Sequence, residues 1–520
     1  MKKLLTLLAL HFLFFGFCQK KVLDLPLKYQ SEYYDNKESL AISNKQNGDL
    51  LLLVEDYNIS YVYLYDSMFN LKFKLNYPSL EDTFKNFLGY NYLGNDNYQI
   101  IFSNNTHRKF AVLNCDFKLN KSDVEELTFK IPKERYLEGI NLKDTFFVMT
   151  LSKKTSELNL YNFKNVHQPE KSIYDISYID KVEGGVTTKA IKLLTAPDVI
   201  TKGRRYLTKI DPLVPNSIEV AINPYKLYTN EQEIILTLDY HKDYTKAIVL
   251  NPFTKEFNTK RLWMPTLFGD SFVKHNSYYM DGKIFQLIVS NEEVKFSITN
   301  FKNEKLIKSY NFNRTDSISF KNTPIYQEKT FEDDKFNYVK QDAVIRELKK
   351  TQQFVRKLSN SSVAIVPYKV NDSLFQVTLG GLKEVSVTIN NFGNLGDQHV
   401  FNNFPFFPVN YSDYNSMTQT YKLYFSTISV KIDCLFDNNF NHVKGEVMPS
   451  VFERINKLEN TLKEEYIDDK TDDDMYTESE DLMIKDSVNG LLNIFEHKHK
   501  FYLGGLHKIN KTYHIFEFEK

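Results

Sequence analysis

A short strand-and-turn unit recurs along the chain and constrains its fold more than any other feature. Each copy is an apolar strand that ends in Asp or Asn, followed by a few turn residues and a second strand. The turn residues of the six copies are Asp66, Asn114, Asn162, Asn251, Asn300 and Asp433. The first three are 48 positions apart, and the fourth and fifth are 49 apart. Such a period predicts a unit of several strands that stacks on its neighbours to form a core.

A unit of this length is the size of a β-propeller blade, which is a four-stranded sheet. The two longer intervals, which end at Asn251 and Asp433, are expected to contain insertions or blades with a weaker motif. The sequence therefore predicts an all-β fold, a β-propeller of about seven blades, with six or eight blades as alternatives. The tetrapeptide Leu-Gly-Gly-Leu, at residues 379–382 and again at 503–506, is a second sign of repetition.

Local signals predict one hairpin and one closing contact. Asn47 and Gly48 precede the apolar run Leu50–Val54, and an Asn-Gly pair supplies the positive φ angles of a tight turn. Near the two ends of the chain, Val22–Lys28 and Tyr513–Glu519 are strand-like. Pairing these two strands in one blade removes exposed sheet edges, so we expect that contact to close the ring.

This layout resembles that of secreted bacterial β-propeller proteins over roughly residues 20 to 520. The resemblance rests on the hairpin spacing and on motifs such as Gly48-Asp49-Leu50-Leu51-Leu52. It implies the fold and an exported protein. The chain carries no WD or Kelch signature, so no family's functional residues carry over to it.

The first eighteen residues have the order of features typical of a secretory signal peptide. Two lysines precede the apolar stretch Leu4–Phe17, which is too short to span a bilayer comfortably. We therefore expect residues 1–18 to be a signal peptide and residues 19–520 to form a single propeller domain without a transmembrane helix. The predicted location is the periplasm, the outer membrane surface or the outside of the cell. A lipoprotein acylated at Cys18 is the less favoured alternative, because the bulky Phe17 precedes that cysteine.

Two segments have helical rather than strand periodicity. The first is Gln341–Leu358, where apolar residues recur at helical spacing. In the second, Ser450 and Glu453 form a capping-box signal before an apolar stripe. The sequence predicts helical insertions near residues 341–358 and 450–466, followed by an acidic loop at residues 464–481.

The overall composition excludes several classes of protein. Lys and Arg number 66 and are balanced by 66 Asp and Glu, so nothing favours a nucleic-acid partner. The 18 Gly, 15 Pro and 3 Cys, with 42% hydrophobic residues, exclude collagen-like, disulfide-scaffold and largely disordered chains. Cys115 and Cys434 fall near the same hairpin of different blades, so we expect buried thiols rather than a disulfide.

Two groups of residues could hold a metal ion. His497 and His499 would face one side of a strand, but no third ligand is evident and neighbouring lysines repel a cation. An acidic cluster could supply oxygen ligands to Ca²⁺, but it lacks the glycine and the spacing of an EF-hand loop. Its residues are Asp468, Asp469, Asp472, Asp473 and Asp474. A solvated acidic loop is the favoured interpretation, and the sequence predicts no metal and no cofactor.

No catalytic motif identifies an active site. A nucleophile elbow, a His-Glu-x-x-His pair, a phosphate loop and a dinucleotide fingerprint are all missing from the sequence. Catalytic residues are therefore unknown.

Four Asp-Ser-aliphatic tripeptides, which begin at Asp66, Asp316, Asp372 and Asp486, look like acceptors of an O-glycosylation system found in the periplasm of some Gram-negative bacteria. The alternative is that Asp-Ser is a common turn pair.

These observations lead to three hypotheses about function. The leading one is a non-enzymatic propeller of the cell envelope that binds or scaffolds an envelope protein or glycan. The second is an envelope polysaccharide hydrolase or lyase whose carboxylates converge at the propeller funnel. The third is an outer-membrane β-barrel, which also consists of alternating strands after a signal peptide.

Overall fold

A computed structural model gives the structure of the chain. It describes residues 20–27, 38–55, 60–78, 80, 83–84, 86–179, 181–183, 186–190, 194, 207–267, 273–329, 344–382, 416–424, 429–471, 493–507 and 512–519. Residues 1–18, with the predicted signal peptide and Cys18, lie outside the described residues.

Antiparallel strands dominate the described chain. The first half contains β1 (Lys20–Pro26), β2 (Glu38–Ser43), β3 (Leu50–Glu55), β4 (Ser60–Tyr65), β5 (Leu71–Tyr77), β6 (Asn86–Gly94), β7 (Asn97–Ser103), β8 (Phe110–Asp116), β9 (Lys121–Leu127), β10 (Glu134–Leu142), β11 (Thr145–Ser152), β12 (Glu157–Asn162), β13 (Glu170–Asp175), β14 (Lys181–Glu183), β15 (Val186–Thr188), β16 (Thr208–Lys209), β17 (Tyr225–Thr229), β18 (Ile234–His241), β19 (Tyr244–Asn251) and β20 (Glu256–Trp263). The second half contains β21 (Lys274–Met280), β22 (Lys283–Val289), β23 (Glu293–Asn300), β24 (Leu306–Asn313), β25 (Ile325–Lys329), β26 (Val344–Leu348), β27 (Ser362–Asn371), β28 (Leu374–Leu382), β29 (Ser429–Asp437), β30 (Asn493–His497), β31 (Lys500–His507) and β32 (Thr512–Phe518). The α-helices are α1 (Ile218–Ala221), α2 (Thr351–Ser359), α3 (Ser416–Tyr424) and α4 (Val451–Thr471).

The chain divides into two compact units. One unit combines Met1–Ser79 with Glu453–Lys520, and the other is Leu80–Phe452. In the first unit, sheet I is β2-β3-β4-β5 and sheet VII is β1-β32-β31-β30. In the second unit, sheets II (β6–β9), III (β10–β13), IV (β16–β20) and V (β21–β24) each follow the chain in order, and sheet VI has the order β26-β25-β29-β28-β27.

Successive sheets of four or five strands, antiparallel except for the short β16–β17 pair and each formed mostly by consecutive strands, are the blade pattern that the sequence predicted. In the second unit the apolar faces pack sheet against sheet: one core cluster joins II to III, a second joins III to IV, and a third joins IV, V and VI. The prediction of an all-β fold of the β-propeller class is confirmed. The count of about seven blades and the single domain over residues 19–520 stay predictions.

The predicted closing contact is confirmed within the first unit. Strands β1 and β32 pair in antiparallel orientation from Lys20 opposite Glu517 to Pro26 opposite Thr512. Because β32 lies between β1 and β31, strands from opposite ends of the chain share one sheet. The edge of β32 is therefore covered by β1 rather than left free to pair with another chain.

In sheets I, III, IV and V the recurring turn unit corresponds to the hairpin between the last two strands. At Asp66, Asn162, Asn251 and Asn300 the side-chain oxygen accepts backbone N–H groups of the following turn, the geometry of an Asx turn. The other two predicted turn residues were wrong. Asn114 and Asp433 lie inside β8 and β29, and the turns are capped by Asp116 and Asp437 instead. In both strands a polar residue is tolerated before the true end because it bonds to neighbouring side chains.

The predicted hairpin at Gly48 is present with a longer loop. Residues 44–49 connect β2 to β3, and Gly48 has a φ of +72°. The Leu-Gly-Gly-Leu repeats lie on β28 and β31. A Cβ at Gly380 would come within 2.2 Å of Ile218, and one at Gly504 within 2.3 Å of the Tyr513 hydroxyl. These two glycines therefore let a neighbouring side chain approach the sheet.

The two predicted helical insertions differ from the structure in extent. Val344–Leu348 is the strand β26, and the helix begins only at Thr351. Pairing with β25 supplies backbone hydrogen bonds to this β-branched run, so the tertiary contact overrides the helical spacing. Helix α4 begins directly after Ser450 and continues to Thr471, so residues 464–471 of the predicted acidic loop are helical. The rest of that loop lies outside the described residues.

Candidate functional site

One face of sheet IV brings aromatic and cationic side chains to the surface. Strands β19 and β20 pair in antiparallel register, which places Tyr244 opposite Trp263 and Lys246 opposite Arg261. Residues two apart on a strand share a face, so these four side chains lie on one side of the sheet. On the other side Thr245 and Leu262 are buried. Along the edge strand β20, the exposed Arg261 and Trp263 thus alternate with the buried Leu262.

The aromatic platform consists of His241, Tyr244 and Trp263. The Trp263 side chain is 67% exposed, and its ring centroid lies 5.6 Å from that of Tyr244 at an interplanar angle of 75°. The His241 ring stacks on Tyr244 at 4.0 Å and 17°. Three rings held against one another at the end of a hairpin form a small rigid apolar surface.

Two cations adjoin the platform. Lys246 is only 5% exposed, its ammonium donates a hydrogen bond to the Tyr178 carbonyl at 2.8 Å, and it lies 4.2 Å from the centre of the Tyr178 ring. Burial, with a further contribution from the charge of Arg261, lowers the pKa of Lys246 to about 8. The Arg261 guanidinium is exposed and lies 5.6 Å from the centre of the Tyr244 ring. Within the described ranges neither cation forms an ion pair with a carboxylate.

A buried carboxylate lies behind this face. Asp239 Oδ1 accepts from the Thr245 hydroxyl at 2.7 Å, and Oδ2 accepts from the Ser277 N–H at 2.8 Å and its hydroxyl at 2.9 Å. The fully buried Lys226 ammonium lies 3.5 Å from Oδ2. Burial lowers the pKa of Lys226, and the Asp239 charge opposes that effect. Both carboxylate oxygens are therefore occupied by donors from sheets IV and V.

Asp239 also lies in a β-bulge. The register of β18 and β19 shifts between Leu238 and His241, and on its other side the Asp239 N–H donates to the Pro224 carbonyl at 2.9 Å, next to β17. A bulge bends its strand and redirects the side chains that follow it. The buried carboxylate therefore fixes the hairpin end that carries His241 and Tyr244.

The sequence-derived metal candidates do not come together. His497 ends β30, where it is buried and Ser43 Oγ lies 2.8 Å from its Nδ1, whereas His499 lies in the next turn with a φ of +64°. A two-residue turn, Lys498-His499, thus replaces the continuous strand that would have aligned the two rings. Asp468 and Asp469 lie on α4, and the remaining aspartates of the cluster lie outside the described residues. The described part of the chain contains no group of three side chains that could ligate a metal.

The cysteine prediction is confirmed, because Cys115 and Cys434 are both free and buried.

Among the Asp-Ser-aliphatic sequences, Ser317 and Ser373 are exposed and Ser67 is half-buried in the turn between β4 and β5. The fourth, which begins at Asp486, lies outside the described residues.

The platform was missed from the sequence because the abundance of aromatic residues made each one weak evidence for a site. The 34 Tyr and 41 Phe conceal the informative ones. A usable signal was nevertheless present: Trp263 is the only tryptophan, and Arg261-Leu262-Trp263 alternates exposed and buried positions.

No family model and no curated protein matches the sequence. Among solved structures, an uncharacterized protein from Listeria monocytogenes is 11% identical, with 68% of this chain and 82% of that chain covered and a TM-score of 0.25. The Dos1 propeller is 9% identical, with 57% and 66% covered and a TM-score of 0.25. A prolyl endopeptidase structure is 8% identical, with 68% and 55% covered and a TM-score of 0.24. TM-scores this low say nothing about function. The strand order within the sheets is what assigns the fold.

No helix in the described part of the chain is both long and apolar enough to cross a membrane.

Proposed function

We propose that this protein is an exported glycan-binding module of the cell envelope, and that a sugar ring stacks on the aromatic platform of sheet IV. The observation that carries the proposal is the exposed Trp263 ring, held in an edge-to-face contact with Tyr244. A rigidly held aromatic ring at the surface exposes apolar area to water. A ligand with an apolar face and a polar edge can cover that area, and because the ring is already fixed, binding costs little further conformational entropy in the protein.

The size and surroundings of the platform favour a glycan over a protein partner. A stable protein interface buries about 800 Å² on each partner around a desolvated apolar centre. Here the rings are bordered by the charged side chains of Arg261 and Asp243, the latter 3.7 Å from His241. Polar groups placed at the border of an aromatic surface suit hydroxyl groups around a sugar ring.

The test is calorimetric titration of residues 19–520 with oligosaccharides chosen from a glycan array. Trp263→Ala is expected to weaken binding at least about tenfold, which corresponds to about 1.4 kcal/mol. Phe253→Ala is the matched control, because Phe253 is also an exposed aromatic residue of sheet IV, in the turn between β19 and β20. Equal loss in both variants, or no loss in Trp263→Ala, contradicts the proposal.

The same preparation tests the hydrolase or lyase hypothesis. Release of new reducing or unsaturated ends from a bound polysaccharide supports an enzyme, whereas recovery of the intact ligand supports a binding module. Asp239 is a poor candidate for such chemistry, because both of its oxygens already accept hydrogen bonds from the protein. Asp433 is similarly engaged through Oδ1 with the side chains of Thr378 and Gln376.

A further inference from the structure

We infer that the sugar bound at the platform is acidic, and that its anionic group is recognised by Arg261 with support from Lys246. This inference rests on the proposed function, since it names the class of glycan that the same surface takes. Beyond stacking on the platform, the ligand is inferred to carry a negative charge that Arg261 and Lys246 recognise.

Two like charges lie opposite each other on β19 and β20. Arg261 and Lys246 are direct cross-strand partners, and like charges in that position repel each other unless an anion lies between or beside them. No described carboxylate pairs with either residue. Among the described residues this pair of cations therefore has no paired carboxylate, and a bound anion would stabilise it.

The two cations differ in chemistry and in exposure. Arg261 is exposed, and a guanidinium offers a planar pair of N–H donors that matches a carboxylate or a sulfate. Lys246 is nearly buried and holds its position through the Tyr178 carbonyl and ring. Arg261 is thus the residue that contacts the anionic group. Lys246 attracts the anion through its positive charge from a buried position, where salt screens that attraction less.

The anion-contacting Arg261 lies close to the aromatic platform. Arg261 and Trp263 are two residues apart on β20, which is about 6.7 Å along a strand. Their side chains point from the same face of the sheet. One sugar ring on Trp263 therefore places a ring substituent within reach of the Arg261 guanidinium, so stacking and ion pairing can act on the same residue of the glycan.

The experiment compares matched acidic and neutral ligands by calorimetry at low and physiological salt. The probes are oligogalacturonate, its fully methyl-esterified form, dextran sulfate and unmodified dextran. We expect an acidic probe to bind at least tenfold more tightly than its neutral counterpart, with the preference reduced by salt. Preference for oligogalacturonate assigns a carboxylate, and preference for dextran sulfate alone assigns a sulfate.

Three variants separate this inference from the proposed function. Arg261→Gln and Lys246→Met are each expected to reduce the acidic-over-neutral preference at least threefold, whereas Lys260→Gln retains it. Lys260 is the matched control because it removes one positive charge from the adjacent position of β20, where its ammonium reaches the Lys302 carbonyl. Circular dichroism verifies that each variant is folded.

The outcomes are distinct. If Trp263→Ala weakens binding of neutral and acidic probes while Arg261→Gln changes neither, the acidic-ligand inference is overturned and the glycan-binding proposal stands. If the wild-type protein binds neutral probes as well as acidic ones, or binds no acidic probe, the inference is again overturned. If Trp263→Ala leaves binding of a bound probe unchanged, the proposed function itself fails.

Discussion

Replacing Asp239 with Asn tests whether the buried network holds sheet IV in its observed register. Asn retains the shape of the side chain but removes the charge that faces the fully buried Lys226 ammonium. Its NH₂ group also cannot accept, so one or more of the donors from Thr245 and Ser277 loses its partner. Breaking a buried ion pair from one side costs about 3 to 5 kcal/mol, because the remaining charge is left uncompensated.

Deprotonation of Lys226 limits that cost and gives the variant a characteristic pH dependence. Burial already lowers the pKa of Lys226, and the loss of the Asp239 charge lowers it further. In the unfolded chain the lysine keeps its ordinary pKa, so between the two values the unfolded state binds more protons than the native state. Stability therefore rises with pH in that window. We expect Asp239→Asn to lose about 3 kcal/mol or more at pH 6 and less at pH 9.

The assay is urea unfolding followed by the fluorescence of Trp263, the only tryptophan, which lies in the same sheet. The double variant Asp239→Asn with Lys226→Met removes the uncompensated charge and is expected to recover part of the loss. A loss below about 1 kcal/mol at pH 6, or no recovery in the double variant, would refute the reasoning.

Three further predictions concern other parts of the chain. Burial and the charge of Lys498 lower the pKa of His497 to about 4, so the unfolded state binds more protons between pH 6.5 and 4. Acid should therefore destabilise sheet VII by up to about 3 kcal/mol, and His497→Gln should flatten that dependence in hydrogen exchange of β30 and β31. Burial raises the pKa of the Cys115 thiol, so labelling by a thiol reagent should require denaturant, and fast labelling of the native protein would contradict this. Amino-terminal sequencing of the protein from its own envelope should begin at Gln19, whereas an acylated Cys18 would indicate a lipoprotein.

The fold class could be predicted because its signals are local and repeated. An Asx turn needs one side chain and the next few amides, so Asp66, Asn162, Asn251 and Asn300 mark their hairpins without any knowledge of the rest of the chain. The closing pair of β1 and β32 followed from the need to cover sheet edges. The helix predicted from residue 341 failed in its first half because the decisive contact, β26 with β25, is made with a strand that the periodicity of one segment does not reveal.

The single tryptophan marks Trp263 in the sequence, but the arrangement of the candidate site could not be predicted, because its geometry depends on a strand register that is set by other residues. Trp263 and Arg261 face outward only because Leu262 faces the core, and a one-residue slip would exchange those faces. The bulge at Asp239 holds that register from the other side of β19, through a hydrogen bond to Pro224 and through Ser277 of the next sheet. The aromatic platform is thus a consequence of buried polar contacts between two sheets. For that reason Asp239→Asn at pH 9, where the smaller loss of stability is expected, should weaken glycan binding although Asp239 lies behind the binding face.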